Sequence, residues 1–476
     1  MTNTNRTLSA QEGSFSEAGN NRTAQTRSSM LWAAYGDALG FISELTDEQG
    51  LKRRTQGAPL DRLMDWKYWV GDHGGVDVVL PTGCWSDDTQ LRMSVSRSIG
   101  NHGFDVETFA RIELPVWLSY GLGIGLASEA AAKNMGLPNA LWYANTFPWW
   151  YDAGGNGAAM RIQPHVWASP GFDDSYLLDV IIDSVCTHGH PRAIVGACFH
   201  ASTLAHCLST GSAPTLDECI AIATKLSEVI SLITSHQILG DIWIGLWEQE
   251  SGKQFQQVWQ NTVTELCDTI KLANAAASAT SSLTDTYQAI TEQLGLAKQY
   301  QHGSGILTTV AAAALAVLAE SPYEASKVAA NAIDTDTDTI ATMAGALIGA
   351  CDTTSQPPEE VLDSNYLLNE ADRLTAISQG KPMKNHLYPD TLTWIAPQTQ
   401  ADALVTENGH LVVEGLGPAT ELDTPPAWTP RKNFAWQWVQ TEFGQTLLIK
   451  RRPELRSHKT NDNVDTPNPS LPSSTT

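Results

Sequence analysis

The most constraining feature of this chain is a helical run whose small residues recur at one spacing. In "IATMAGALIGA", Ala341, Gly345 and Gly349 occupy every fourth position and therefore share one face of a helix. Such a face lets a second helix approach closely. The apolar pattern stays mostly helical over residues 30–350. The sequence therefore predicts a mainly α fold in which this helix is central.

The spacing of apolar residues changes from a helical to a strand-like pattern after about residue 384. "ADALVTENGHLVVEG" has the pattern of two strands joined by an Asn408-Gly409 turn, which is a strong hairpin signal. "NFAWQWVQTEFGQTLLIKRR" then places Phe434, Trp436 and Trp438 on one face of another strand. Because a sheet of two hairpins is marginal in water, this face needs a cover. We expect it to dock on the helical domain; the alternative is that it contacts a macromolecular substrate or partner.

These patterns divide the chain into four parts. We predict a disordered polar leader (1–28), an all-α domain (29–383), a small β-hairpin domain (384–455) and a disordered tail (456–476).

Composition excludes several classes of function. The formal charge of −23 over 476 residues argues against general nucleic-acid or membrane-surface binding, which relies on clustered Lys and Arg. The 7 Cys include no CxxC pair and are odd in number, so they indicate free thiols in a reducing compartment. The N-terminus has no apolar secretory segment, and no run is long enough to span a bilayer. We expect a cytoplasmic protein.

Two acidic clusters stand at predicted helix starts. Asp87 and Asp88 open the helix in "CWSDDTQLRMSVSRSIG", where one carboxylate would suffice to cap the free N–H groups. A second adjacent carboxylate adds repulsion of about 1 kcal/mol unless water or a cation screens it. On this segment alone, capping and a cation site both remain open. The second cluster, in "AIDTDTDTIATMAG", alternates Asp and Thr before another helix. Magnesium binds about six oxygen ligands, so the two helix starts would form a metal cage if they meet.

Five motifs in order then carry a family resemblance. The set "GDALG", "WSDDTQ", "GNGAAMRIQP", "THGHP" and "DTDTIATMAGALIGA" resembles the ADP-ribosylglycohydrolase family. This resemblance implies an all-α orthogonal helical bundle that binds two Mg²⁺ ions, with Mn²⁺ as a possible substitute. It implies hydrolysis of the bond between ADP-ribose and a modified protein or small molecule. It does not reach the β domain or the polar leader.

The resemblance also implies residue roles. It gives Glu44, Asp87 and Asp338 catalytic roles, with Glu44 on a mobile loop beside the scissile bond. The implied metal ligands are Ser86, Asp87, Asp88, Asp336, Asp338 and Thr339. The implied substrate-binding residues are Gly155, Asn156, Gly157, Met160 and His188.

Some of these positions have alternative interpretations. Ser86 stands where the family usually has Thr, and Thr335 stands where it commonly has Gly. The Asp/Thr repeat allows a register shifted by two residues, which would include Asp334. Without the resemblance, Gly155 to Gly157 read as a plain loop and His188 as a solvent-exposed histidine at a helix start.

The leading function is therefore a Mg²⁺-dependent hydrolase that reverses ADP-ribosylation, with an arginine linkage as the first candidate. One alternative is a catalytically idle binding or structural protein on the same scaffold; the ligand set is complete, which disfavours it. The other is a different all-α metal-dependent nucleotide hydrolase. Those with a paired His-Asp motif need adjacent His and Asp, and no His in this chain precedes an Asp.

Overall fold

The computed structural model describes residues 5–71, 74–278, 282–298 and 301–458. Residues 1–4 of the predicted leader and 459–476 of the predicted tail lie outside the described residues.

Most described elements are helices, which confirms the predicted mainly α class. The α-helices are α1 (Asn5–Phe41), α2 (Glu48–Arg54), α3 (Asp87–Arg97), α4 (Val106–Thr108), α5 (Leu114–Trp117), α6 (Leu126–Met135), α7 (Gln163–Trp167), α8 (Leu177–Val185), α9 (Pro191–Thr210), α10 (Leu216–Ser235), α11 (Ile244–Ser251), α12 (Phe255–Ala277), α13 (Leu283–Leu294), α14 (Gly305–Leu318), α15 (Pro322–Ala330), α16 (Thr337–Cys351) and α17 (Ser364–Ser378). Short 3₁₀ and π turns are Phe109–Glu113, Trp150–Asp152, Ala159–Arg161, Leu239–Trp243 and Gln400–Asp402.

Helices α1 and α16 pack backbone against backbone. A Cβ atom added at Gly345 would lie 2.3 Å from the carbonyl oxygen of Trp32, and one added at Gly36 would lie 2.4 Å from that of Ala341. The Thr342 hydroxyl donates to the carbonyl of Ala33 across the same seam at 2.7 Å. The small-residue stripe therefore does bring a second helix into close contact, as the sequence predicts, and that helix is α1.

Helix α1 also passes through the expected boundary at residue 28. Near this point the Ser28 hydroxyl donates to the carbonyl of Asp352, and the Gln25 amide donates to the carbonyl of Ala350. Both side chains are buried. These bonds pair carbonyls at the end of α16 with polar side chains, so residues that looked like a solvated leader pack against the fold instead.

The strands form two small hairpins and one larger sheet. They are β1 (Trp66–Val70), β2 (Val76–Leu80), β3 (Ile99–Gly100), β4 (Gly103–Phe104), β5 (Leu404–Glu407), β6 (His410–Val413), β7 (Gly417–Glu421), β8 (Ala427–Trp428), β9 (Ala435–Thr441), β10 (Thr446–Arg451) and β11 (Arg456–His458). The sheet has the order β10-β9-β7-β6-β5-β11, with β8 paired to β9. Its β5–β6 and β9–β10 pairs are the two hairpins that the sequence predicts.

The turn between β5 and β6 has the expected geometry, since Asn408 and Gly409 have φ angles of 50° and 84°. The glycine-rich stretch before Cys84 contains the β1–β2 hairpin, and α3 ends at Arg97, after which Ile99 begins β3.

The C-terminal sheet docks on the helices. Trp436 and Trp438 are buried and belong to the same cluster of apolar side chains as the helical core. The backbone N–H of Lys450 donates to the carbonyl of Ser119 at 2.9 Å, just after α5. The apolar face is therefore covered from within the chain, as expected.

Two further findings bear on the predicted setting. All seven cysteines are free thiols. Among the described helices, no single one is long and apolar enough to cross a membrane; Leu216–Ser235 and Leu239–Ser251 pass that test only as a pair bent by 91°.

The glycine seam can be tested with a matched pair of substitutions. Gly345→Ala should lower the free energy of unfolding by about 3 kcal/mol, because the added methyl group overlaps the α1 backbone. Gly245→Ala in α11 has open space around the new Cβ and should raise it by about 0.5–1 kcal/mol. Urea denaturation measures both. Equal effects of the two substitutions would contradict close packing of α1 on α16.

Candidate active site

The two acidic helix starts meet in the structure. Ser86, before α3, and Thr339, in the first turn of α16, both donate from their hydroxyls to Oδ2 of Asp88 at 3.3 Å. Asp88 is 2% exposed. The sequence predicts a metal cage only if the two helix starts meet, and the structure brings them together although they are far apart in the chain.

Capping of α3 is performed by another residue. Asp37 of α1 is fully buried and accepts from the backbone N–H of Ser86 at 2.8 Å and of Thr89 at 2.9 Å. The N–H of Asp87 donates to the carbonyl of Leu122 at 2.7 Å, and that of Asp88 donates to the Ser86 hydroxyl at 3.2 Å. The first turn is thus satisfied without the carboxylates of Asp87 and Asp88. Capping of α3 therefore does not account for the carboxylates of Asp87 and Asp88.

Glu44 lies beside the cluster, on the turn that follows α1. A Cβ atom added at Gly123 would lie 3.0 Å from Asp87 Oδ1 and 3.3 Å from Glu44 Oε2, so both carboxylates border the same small space. Glu44 is also close enough to Asp338 for its negative charge to help raise the pKa of the Asp338 carboxyl. The three residues predicted to be catalytic are therefore neighbours.

Asp336 faces the glycine-rich loop. Its Oδ2 accepts from the side-chain amide of Asn156 at 2.9 Å. The backbone N–H of Asn156 donates to the carbonyl of Gly303 at 2.9 Å, and Gly155 pairs with Ser304 in an isolated β-bridge. The predicted substrate loop is therefore joined to the acidic cluster.

His188 completes this side of the site. It is 2% exposed, and its Nδ1 lies 2.7 Å from the Thr187 hydroxyl. Burial, with a smaller effect of nearby Arg161, lowers the pKa of His188 to about 3, so its ring is neutral. A Cβ atom added at Gly157 would lie 2.9 Å from this ring. His188 is therefore not the exposed helix-start residue of the alternative interpretation.

Met160 is buried in the short helical turn that follows the loop. Its backbone N–H donates to the carbonyl of Asn156 at 3.1 Å, and its carbonyl accepts from Arg92 of α3 at 3.1 Å. Its side-chain contact with substrate stays a prediction.

Two segments at the site were missed by sequence reasoning. The first is the stretch from Gly303 to Gly305, which supports the glycine-rich loop. The second is Gly123, whose missing side chain leaves room between Glu44 and Asp87. Neither carries a polar side-chain pattern; the "HGSG" run at residues 302–305 was the available signal.

Burial and mutual repulsion disfavour ionisation of the clustered carboxyls. The pKa of Asp87 is raised well above its ordinary value by burial and by Asp88. Burial and Glu44 do the same to the pKa of Asp338. Burial also raises the pKa of Asp88, against which Arg92 acts only partly. Such a set of carboxyls is stabilised in its charged form by a bound cation.

The donor atoms fit a hard divalent cation. Asp88 Oδ1 and Asp338 Oδ2 are buried and have no hydrogen-bond partner, which is costly for a carboxylate. Carboxylate and hydroxyl oxygens are the ligands that Mg²⁺ and Mn²⁺ accept.

The present side-chain arrangement is not itself a formed metal site. Among the described side chains, no three His, Cys, Asp or Glu groups are arranged to hold a metal ion as they stand. Asp338 Oδ1 accepts from the N–H of Thr339, and Asp336 is held by Asn156. Binding would require these carboxylates to turn toward the ion.

Together, fold and site define a mainly α protein with a buried cluster of carboxylates and hydroxyls at two helix starts. A family model described as ADP-ribosylglycohydrolase matches residues 19–383. The chain therefore belongs to the ADP-ribosylglycohydrolase family, whose members are hydrolases of ADP-ribosyl linkages and are generally metal-dependent.

Other comparisons are less extensive. A solved structure described as an ADP-ribosylglycohydrolase-related protein complex has 19% sequence identity and a TM-score of 0.48, over 75% of this chain and 99% of that chain. No protein of curated function matches the chain.

Cation binding can be measured without any assay of turnover. Mg²⁺ at a hundred times its Kd should stabilise the protein by about 2.7 kcal/mol. Asp88→Asn should raise the melting temperature in chelator, because it removes a buried carboxyl whose raised pKa destabilises the fold at neutral pH, and it should abolish the Mg²⁺-induced shift.

Asp334→Asn is the matched control, since Asp334 lies outside the assigned ligand set. Loss of the shift in this control alone would support the register displaced by two residues. An undiminished shift in Asp88→Asn would contradict the assigned site.

Proposed function

We propose that this protein is a Mg²⁺-dependent hydrolase that releases ADP-ribose from a modified protein or small molecule, with an arginine-linked target as the first candidate. The observation that carries the proposal is the meeting of Glu44, Asp87 and Asp338 beside the loop of Gly155 to Gly157, in a member of this family.

The proposed ligands of the cations are the hydroxyls and carboxylates already described: Ser86, Asp87, Asp88, Asp336, Asp338 and Thr339. When bound, the cations would orient the ribose hydroxyls and lower the pKa of a water molecule. Mn²⁺ would substitute for Mg²⁺, and the larger Ca²⁺ would do so poorly.

Glu44 is proposed to handle the proton of the reaction. In the absence of a bound cation, burial and nearby Asp336 raise the pKa of Glu44 to about 8, toward the range in which a carboxyl can both give and take a proton. Cleavage at an anomeric carbon needs a proton donor for the departing group and a base for the attacking water. Glu44 borders the space next to Asp87, where either transfer would occur.

The glycine-rich loop is proposed to bind the diphosphate. The absence of side chains at Gly155 and Gly157 allows an anion to approach the backbone N–H groups. His188 packs on this loop as a neutral ring and adds no repulsive or attractive charge. Arg161 fixes the loop, because it donates to the carbonyl of Gly157 at 2.7 Å and to the Thr187 hydroxyl at 2.8 Å.

An acidic cavity is proposed to receive a positively charged leaving group. It has a volume of about 700 Å³, and its lining includes Asp47, three residues after Glu44, and Thr335, which directly precedes Asp336. Tyr287 in its wall is 1% exposed, and its hydroxyl has no hydrogen-bond partner. The charged residues of its described lining are Asp47, Glu48, Glu292, Asp334 and Lys327. Four carboxylates against one ammonium group favour a guanidinium over a neutral hydroxyl acceptor.

The direct experiment is a substrate panel. The protein with Mg²⁺ would be incubated with arginine-linked and serine-linked ADP-ribosyl peptides and with an acyl-ADP-ribose, and released ADP-ribose would be measured. We expect release from the arginine-linked peptide, lost in excess chelator and in Asp87→Ala and Asp338→Ala. Tight ADP-ribose binding without release from any substrate would instead favour the idle binder.

Glu44 can be separated from its neighbours kinetically. Glu44→Gln should lower kcat by about a hundredfold or more and leave the Kd for ADP-ribose nearly unchanged, because the carboxyl acts on the proton and not on the diphosphate.

The matched substitution is Glu48→Gln, four residues along the chain in the cavity wall. It should raise KM for the arginine-linked peptide and leave kcat largely intact. A normal kcat in Glu44→Gln would remove this residue from the catalytic set.

A further inference from the structure

We propose that the C-terminal sheet is part of the support of the active site: it holds α3, whose first turn carries Asp87 and Asp88, at both ends. Asp363, Thr446, Gln445 and Arg97 are then positioning residues. The family match ends at residue 383, so the sheet lies outside the matched region.

The first connection leads to the start of α3. In β10, the backbone N–H and the hydroxyl of Thr446 donate to the Asp363 carboxylate at 2.5 Å and 2.8 Å. Leu362 is the residue before Asp363. Its backbone N–H donates to the carbonyl of Gly83 at 3.0 Å, and its carbonyl accepts from the Trp85 indole N–H at 2.9 Å. Trp85 directly precedes Ser86. Two hydrogen-bonded contacts, linked through neighbouring residues of the chain, thus join the sheet to the first acidic cluster.

The second connection leads to the end of α3. Arg97, 3% exposed, donates from Nη1 to the side-chain oxygen of Gln445 at 2.5 Å and to the Tyr366 hydroxyl at 2.8 Å. Its other nitrogens form a buried ion pair with Glu113, at 2.8 Å and 2.7 Å. Gln445 is the residue before Thr446. Two adjacent residues at the start of β10 therefore connect to opposite ends of the same helix.

A third connection reaches the backbone of Asp87. The N–H of Lys450 in β10 donates to the carbonyl of Ser119, which lies three residues before Leu122. The Leu122 carbonyl accepts from the N–H of Asp87 at 2.7 Å. The N–H of Leu122 donates to the side-chain oxygen of Gln90 in α3 at 3.1 Å. This segment ends at Gly123, which borders Glu44 and Asp87.

These bonds constrain where the carboxylates stand. Buried hydrogen bonds are directional and costly to leave unmade, so they fix the depth and rotation of α3 more firmly than apolar contacts do. A displacement of about 1 Å in a reacting group can lower a rate a hundredfold. Loosening either end of α3 should therefore impair turnover although no substituted residue touches the substrate.

The test uses two pairs of substitutions, each made of a test variant and a control of the same chemistry. Gln445→Met removes the acceptor of Arg97, whereas Gln437→Met removes an equally buried amide that accepts from Arg451 within the sheet. Asp363→Asn weakens the bonds to Thr446, whereas Asp402→Asn weakens the ion pair with Arg452, which joins the turn before β5 to the residue after β10 and does not reach α3. Asn is chosen because Asp363 has a φ of 57°, which Asn tolerates.

Two readouts are needed. We expect Gln445→Met and Asp363→Asn to lower kcat about tenfold with little change in KM, and the two controls to retain kcat within about twofold at matched folded fraction. In protein without metal or substrate, amide hydrogen exchange over residues 87–98 should be faster in the first two variants and unchanged in the controls. Thr446→Val, which keeps the backbone bond, should show a smaller effect in the same direction.

The results of these measurements distinguish failure of the support proposal from failure of the proposed function. The kinetic arm rests on the proposed function, and the exchange arm does not. Unchanged exchange over α3 in both test variants would overturn the proposal whatever the activity. Equal loss of kcat in test and control variants would overturn it as well, and so would a rise in KM confined to macromolecular substrates, which would assign the sheet to recognition. If exchange is faster in the test variants but the wild-type protein hydrolyses no ADP-ribosyl substrate, the proposed function is refuted and the support of α3 by the sheet stands.

Discussion

The contact of α1 with α16 at the level of their backbones is the constraint on which the site depends. Along this seam, a Cβ atom added at Gly40 would lie 2.4 Å from the Thr337 carbonyl oxygen and 2.5 Å from the Asp338 Cα atom. Such an approach excludes any side chain at this position of α1. It brings the turn carrying Glu44 against the start of α16, and the same helix supplies Asp37 to the start of α3. Three elements of the site therefore take their places from one helix pair.

The carboxyl groups of this buried region have two different roles. Asp37 accepts two backbone hydrogen bonds and is a structural residue. Asp88 and Asp338 instead each leave one oxygen without a partner. A fold that only needed caps would not leave these oxygens unpaired, since the desolvation cost of an unpaired carboxylate is high. The local instability is the physical reason for expecting a cation.

How much the sequence could predict depends on whether a feature is local. The Asn408-Gly409 hairpin and the helix carrying Gly345 are determined by turn chemistry and periodicity, and both were predicted correctly. The sequence alone could not predict that Asp88 and Thr339 meet, because nothing in either segment determines the distance between them in the fold. Gly123, Gly303 and Asp363 were missed, since their importance comes from contacts with distant residues. The packed part of the predicted leader was missed because Gln25 and Ser28 are polar and find carbonyls to bond.

The seam between α1 and α16 also has a consequence for synthesis on the ribosome. Gly36 and its partner Ala341 are about three hundred residues apart, so at roughly 5–20 residues per second α1 waits roughly 15–60 s before its partner helix is made. Over that interval the glycine face and the buried aromatic side chains of α1, such as Trp32 and Tyr35, have no native cover. The carboxylates of the site also remain apart until nearly the whole helical domain exists. In a nascent chain of this protein, the acidic cluster can therefore form only after α16 has been synthesised.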